Sequence, residues 1–271
     1  MSLLRITSLL EQCNTGDAPF PPTDLFNEGW LLRLVLDWYS RNTEVSSPLQ
    51  FAPNARWFSE ARLPSAFLKR HHKDRLAEGW TSADGVIGHF DLSHRKSGCK
   101  LQADARQFVV TEAKIFSKLS PGVTNAPYYD QAARNVACIA EVLKRAGRKP
   151  HLMDRIAFYV IAPKAQIEAG VFHPDITARS IAHKVKQRVD EYGGSKEQWH
   201  EQWFAPLLDH IEVSTLSWES LIDPIGDTDP ASNAELQTFF SNCCKFNQQV
   251  VPRSATDKHR QTNTPKLLAE P

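Results

Sequence analysis

Nine residues, Arg106-Gln-Phe-Val-Val-Thr-Glu-Ala-Lys114, constrain this chain more than any other stretch. Phe108, Val109, Val110 and Thr111 are strand formers, and the run predicts a central, largely buried strand. Side chains alternate faces along a strand, so Glu112 and Lys114 are expected on the same side, one pleat apart. An acid and an amine at the end of an apolar strand need each other or a metal, because an unpaired buried charge is costly. An acid-x-Lys triplet alone means little in a chain with 31 acidic residues. Its surroundings decide what it is.

The preceding stretch, Ser82-Ala-Asp-Gly-Val-Ile-Gly-His-Phe-Asp-Leu92, alternates well enough for a strand over about 84–92. A polar, turn-rich connection (93–105) with Gly98 near its middle suggests an antiparallel hairpin. A fold about Gly98 sets Asp84 opposite Glu112 and sends Asp91 to the distant loop end, opposite residue 105. Asp84 is therefore the expected partner of Glu112, ahead of Asp91. After Lys114 the chain passes Pro121-Gly122 into a helix with Pro127 near its first turn and Gly147 just past its end. Gln131 and Arg134 lie at the end of that helix closest to Lys114. Ile156–Ala162 is a buried strand, and strand, helix and strand make a βαβ unit with parallel strands.

Upstream, residues 2–13 form a short amphipathic helix, and Thr23 is a plausible N-cap for a second helix over about 24–40. Leu31, Leu32 and Val35 follow Glu28 at helical spacing, so this carboxylate falls on the core-facing stripe. It is either a first-turn acid favoured by the helix dipole or an inward functional carboxylate. Trp57–Arg62 is a short strand or a bend, stopped by Pro64. Residues 62–75 are basic (Arg62, Lys69, Arg70, His71, His72, Lys73, Arg75), read either as a solvated helix face or as an anion-binding surface. Later come a basic helix at about 176–192, a Trp-rich helix at about 195–209, a strand at 211–216 and a terminal helix at about 234–249.

At 271 residues the chain is long enough for one large domain. Residues 1–250 are expected to form one domain, with a core over 24–163, a C-terminal extension over 164–250 and a polar, disordered tail at 251–271. The net charge of +1 implies no strong global field, so any polyanion must meet a local basic patch. Five cysteines without metal-ligand spacing point to reduced thiols in a cytoplasmic protein. No apolar run approaches a membrane span, and the N-terminal apolar stretch holds Glu11, unlike a signal peptide.

An inward helix acid (Glu28), a strand-start acid (Asp84), Glu112-x-Lys114 on the neighbouring strand and a helix bearing Gln131 together resemble the PD-(D/E)XK nuclease superfamily. Ala83 stands where that pattern often has proline. The resemblance covers about residues 24–163, with 211–222 as an added edge strand. It implies an α/β restriction-endonuclease-like fold, a central mixed sheet flanked by helices, and a Mg²⁺-dependent deoxyribonuclease, with Mn²⁺ able to substitute. It further implies that Asp84, Glu112 and the backbone carbonyl of Ala113 ligate the metal, and that Glu28 holds a second ion or orients a water. By the same resemblance Lys114 positions the attacking water or stabilises phosphate charge, and Gln131 orients substrate or water. Arg62, Lys69, Arg70, Lys73, Lys184, Lys186 and Arg188 then become phosphate contacts to DNA. Without a helix-turn-helix or zinc finger, specificity falls to loops, a homodimer or a partner protein. The alternative is an inactive nuclease-like module that binds nucleic acid or protein.

Overall fold

The computed structural model describes residues 2–15, 18–74, 76–92, 98–122 and 125–248. Arg75 and the tail expected at 251–271 lie outside the described residues. In chain order the main elements are α1 (Ser2–Thr15), α2 (Glu28–Arg41), β1 (Arg56–Leu63), β2 (Thr81–Gly88), β3 (Phe90–Asp91), β4 (Lys100–Leu101) and β5 (Gln107–Ala113). They continue as α3 (Gln131–Ala146), β6 (Arg155–Ala162), α4 (Lys164–Glu168) and α5 (Ala178–Asp190). A composite α6 joins Glu197–Trp199, π-helical His200–Phe204 and Ala205–Leu208, before β7 (Ile211–Ser217), α7 (Trp218–Ile222) and α8 (Pro230–Asn247).

Five strands form one mixed sheet in the order β1-β2-β5-β6-β7. β1, β2 and β5 run as an antiparallel meander, and β5, β6 and β7 are parallel. Every residue of β5 is buried. Such a strand shows no polar alternation in sequence because both its faces are covered. Leu31, Leu32 and Val35 of α2, with Trp218, Leu221 and Leu236, cover the face that includes Val109 and Ala113. Val136, Ile139 and Leu143 of α3, with Ile181, Val185 and Phe204, cover the face that includes Phe108 and Val110.

The ends of elements follow local chemistry. Asn27, not Thr23, caps α2, accepting from the Trp30 amide at 3.0 Å, because Pro22–Asp24 forms a short 3₁₀ turn of its own. α3 starts at Gln131 rather than near Pro127, since Asp130 accepts from the Ala133 amide and Gln131 N–H bonds the Ser120 carbonyl. Gly147 ends it in the left-handed conformation (φ 63°). In α6 the missing amide of Pro206 frees the Gln202 carbonyl, which accepts from Lys149 Nζ at 3.1 Å, and the helix widens to π geometry beside it. The described residues 62–74 are not a helix: Arg62 and Leu63 close β1, Pro64 follows, and the chain then runs irregularly. The five cysteines are free thiols. Among the described residues no helix is long and apolar enough to cross a membrane.

Candidate active site

The β2–β5 ladder pairs Gly85 with Thr111 and Val86 with Val110, which sets Asp84 level with Glu112 as the fold about Gly98 requires. The ladder then stops, although β2 continues to Thr81 against β1. Where the next rung would fall, the Asp84 carboxylate accepts from the Ala113 amide at 2.7 Å. A side chain thus replaces a backbone partner and the two strands part. Amide and carbonyl of one strand residue turn to the same side, so the Ala113 carbonyl also faces Asp84. Gly85 permits this closeness: a Cβ there would lie 2.5 Å from Thr111 Oγ1 and 3.1 Å from the Leu32 and Leu36 methyl groups of α2.

Asp91 lies elsewhere. It opposes Lys100 in the separate β3–β4 pair, not residue 105, and bonds Arg56 at 3.0 Å. The connection is therefore not one continuous hairpin: β2 ends at Gly88 (φ 147°), and a second small hairpin follows with its own register.

Glu112 and Lys114 emerge on the α3 side, and Lys114 Nζ donates to Glu112 Oε1 at 2.7 Å. Gln131 also donates to that oxygen, while its own carbonyl accepts from the Ser120 amide at 3.0 Å. The glutamine is held at both ends, which fixes the orientation of its amide. Asn135, one turn further along α3, reaches Glu112 Oε2 at 3.5 Å. It was not singled out in the sequence, and the signal available was its i+4 spacing from Gln131 on one helix. Trp218 donates its indole N–H to the Lys114 carbonyl at 2.9 Å. Nothing in the sequence links those two residues, 104 positions apart. Glu112 is 1% exposed. Burial, and next the charge of Asp84, push its carboxyl up to about 8, with Lys114 pulling the other way.

A further acid, Glu60 of β1, feels the charge of Asp84. It falls between the rungs Ser59–Gly85 and Ala61–Ala83, level with Asp84, in a left-handed conformation (φ 57°). Burial and then Asp84 raise its carboxyl, and Arg33 of α2 lies 3.7 Å away. Glu28, in contrast, is not joined to the cluster. It forms no hydrogen bond or ion pair with a described residue, and its charge acts on the Cys243 thiol of α8. The first-turn position that places it on the apolar stripe also points it toward the terminal helix.

Three of the expected phosphate contacts are held in ion pairs, and two of them, Arg188 and Lys184, lie within the fold. Arg188 is 0% exposed, bonded to Glu191 at 2.6 Å and to the Leu76 carbonyl, with Phe67, Tyr129 and Tyr192 around its guanidinium. This buried ion pair corrects its reading as a DNA contact: the helical period that gives α5 its basic character also turns Arg188 inward. Lys184 bridges Asp130 and Asp175, tying α5 to the start of α3, and Lys186 bridges Asp190 and Glu197. Arg62, Lys69, Arg70 and Lys73 are exposed, and among the described residues only Arg70 of these forms an ion pair, with Asp74.

Two carboxylates and a carbonyl make an oxygen-donor set suited to a hard cation that keeps several of its waters. Mutual repulsion between Asp84 and Glu112 is what such an ion relieves. Among the described residues no three His, Cys, Asp or Glu side chains converge on one point, so an all-protein cage of the zinc type does not fit. No known family, no curated protein and no solved structure matches the chain.

Proposed function

We propose that this chain is a metal-dependent nuclease that hydrolyses phosphodiester bonds in DNA. The observation that carries this reading is the parting of β2 from β5, where Asp84, Glu112, Lys114 and the Ala113 carbonyl meet beside Gln131. An antiparallel meander followed by a parallel crossover, as in β1, β2, β5 and β6, supports the resemblance to PD-(D/E)XK nucleases.

Asp84, Glu112 and the Ala113 carbonyl would hold Mg²⁺ or Mn²⁺. When bound, the ion supplies neutralising charge to the phosphate and acidity to a water. The protein's own groups do the rest. Asp84 holds the Glu112–Ala113 peptide through the Ala113 amide, and the Lys114 amide, bonded to the Ile161 carbonyl at 2.8 Å, fixes the direction of the Ala113 carbonyl. Gln131, pinned by Ser120, orients Glu112. Lys114 is placed to donate to a phosphate oxygen and stabilise charge that develops there. Trp218 holds the Lys114 backbone, so the amine swings only about its own side chain.

The test is cleavage of supercoiled plasmid with Mg²⁺ or Mn²⁺. Asp84→Ala, Glu112→Ala and Lys114→Ala should each lose at least ~100-fold in rate. Asp91→Ala, which breaks exposed contacts with Arg56 and Gln102, should stay within about twofold. Tight DNA binding without cleavage under either ion would instead favour the interaction module. An active Glu112→Ala would refute the assignment of the site.

A further inference from the structure

We infer that a second surface, leading away from the acid pair, seats the nucleic-acid backbone: a basic patch assembled from the end of β1, the loop before β2, the C-terminal end of α3 and the start of α6. Its cations are linked through shared neighbours. The guanidinium groups of Arg62 and Arg145 lie over the Trp80 ring, at 5.5 and 6.0 Å. Arg145 and Lys144 share Glu141, at 2.8 and 3.5 Å. Lys196 and Arg70 both face the Tyr192 ring, at 5.7 and 4.3 Å, and Lys196 feels the charges of Lys144 and Arg70. Lys69 and Lys73, exposed in the same segment as Arg70, add to its positive charge.

The arrangement of opposite charge is what makes this an anion surface rather than an ordinary solvated face. Its two carboxylates, Asp74 and Glu141, have side chains only 2% and 7% exposed, whereas their partners Arg70, Lys144 and Arg145 are 37 to 45% exposed. The acids therefore lie underneath and the cations on top. Lys144 and Arg145 also close the last turn of α3, where the helix dipole favours positive charge. Burial, and then the charges of Lys144 and Arg70, lower the Lys196 amine. Trp80 and Tyr192 hold the guanidinium groups in place, which reduces the entropy lost on contact.

The patch has a fixed relation to the acid pair. Arg62 opposes Ser82 in the β1–β2 ladder, two residues from Asp84, so the near edge is about 7 Å along the strand from the carboxylates. Arg145 and Gln131 lie fourteen positions apart on α3, about 20 Å along the helix. A duplex with one phosphate at the acids would meet the far cations about six base pairs away. Ordinary phosphate contacts of this kind set register without reading sequence. The inference rests on the nuclease reading for where the scissile bond lies, but not for binding itself.

The test separates the two. Affinity of the full chain for a fluorescent 20-base-pair duplex is titrated against salt in the presence of a chelator, so that no cleavage intervenes. Combining Arg62→Ala, Lys144→Ala and Lys196→Ala should lower the log–log salt slope by about 3 and weaken binding at 0.1 M salt by ~100-fold or more. Arg41→Ala, an exposed cation of α2, should change neither. Thermal melts of the variants establish that they fold. An unchanged slope in the triple variant overturns the inference, as does equal patch dependence with anionic vesicles. Patch-dependent binding by a chain that never cleaves would sink the nuclease reading and leave the patch standing. Normal cleavage with an unaltered slope would do the reverse.

Discussion

A carboxyl group that is 1% exposed, 2.7 Å from an ammonium and level with a second carboxylate is under opposing demands. At Glu112 burial and Asp84 win over Lys114, and the group titrates near 8 instead of 4.5. The consequence for stability has a definite sign. Between those values the folded chain keeps a proton that the unfolded chain has released, so raising the pH favours unfolding. Without divalent ions, the urea midpoint of the wild type should therefore fall from about pH 5 to about pH 8. Glu112→Gln, which keeps the shape but cannot titrate, should show a flatter profile. A wild-type curve no steeper than that of the glutamine variant would mean that Lys114 dominates the carboxyl after all.

At the scale of elements, caps and registers decide where functional groups land. Asn27→Ala should cost ~1 kcal/mol in urea denaturation, whereas Thr23→Ala should stay within about 0.5 kcal/mol, because only Asn27 satisfies an amide of α2. Equal costs would contradict the observed cap. The β5 strand and its pairing with β2 were legible because an unbroken apolar run flanked by one glycine-centred loop leaves few registers. The same arithmetic misplaced Asp91, since the chain turns at Gly88 and starts a second hairpin, which alternation does not reveal. Gln131 was legible as a residue near the N-terminal end of the helix that follows Lys114, although that helix starts at Gln131 itself and not near Pro127. Glu28 was not: periodicity gives the face of a helix but not what packs against it, and the terminal helix α8 occupies that place. For Arg188 the reason is similar, because a basic residue on a basic helix looks solvated until aromatic partners from distant segments surround it.

The whole molecule binds its last third into the candidate site. Trp218, 0% exposed, joins β7 and α7 to the Lys114 carbonyl, so the segment read as an extension is part of the support beneath Lys114. Trp218→Phe keeps most of the buried ring but removes the donor. It should lower stability by about 1–2 kcal/mol and reduce cleavage more than DNA binding. A variant with full activity would show that the Lys114 backbone needs no such anchor. β1 bears on how the molecule meets its own kind. It is an outermost strand of the sheet, and the reversed backbone twist at Glu60 breaks the even spacing of donors and acceptors along its rim. Another extended chain laid against that rim would fall out of step at the kink, so β1 offers poor footing for runaway polymerisation even with Phe58 uncovered beside it.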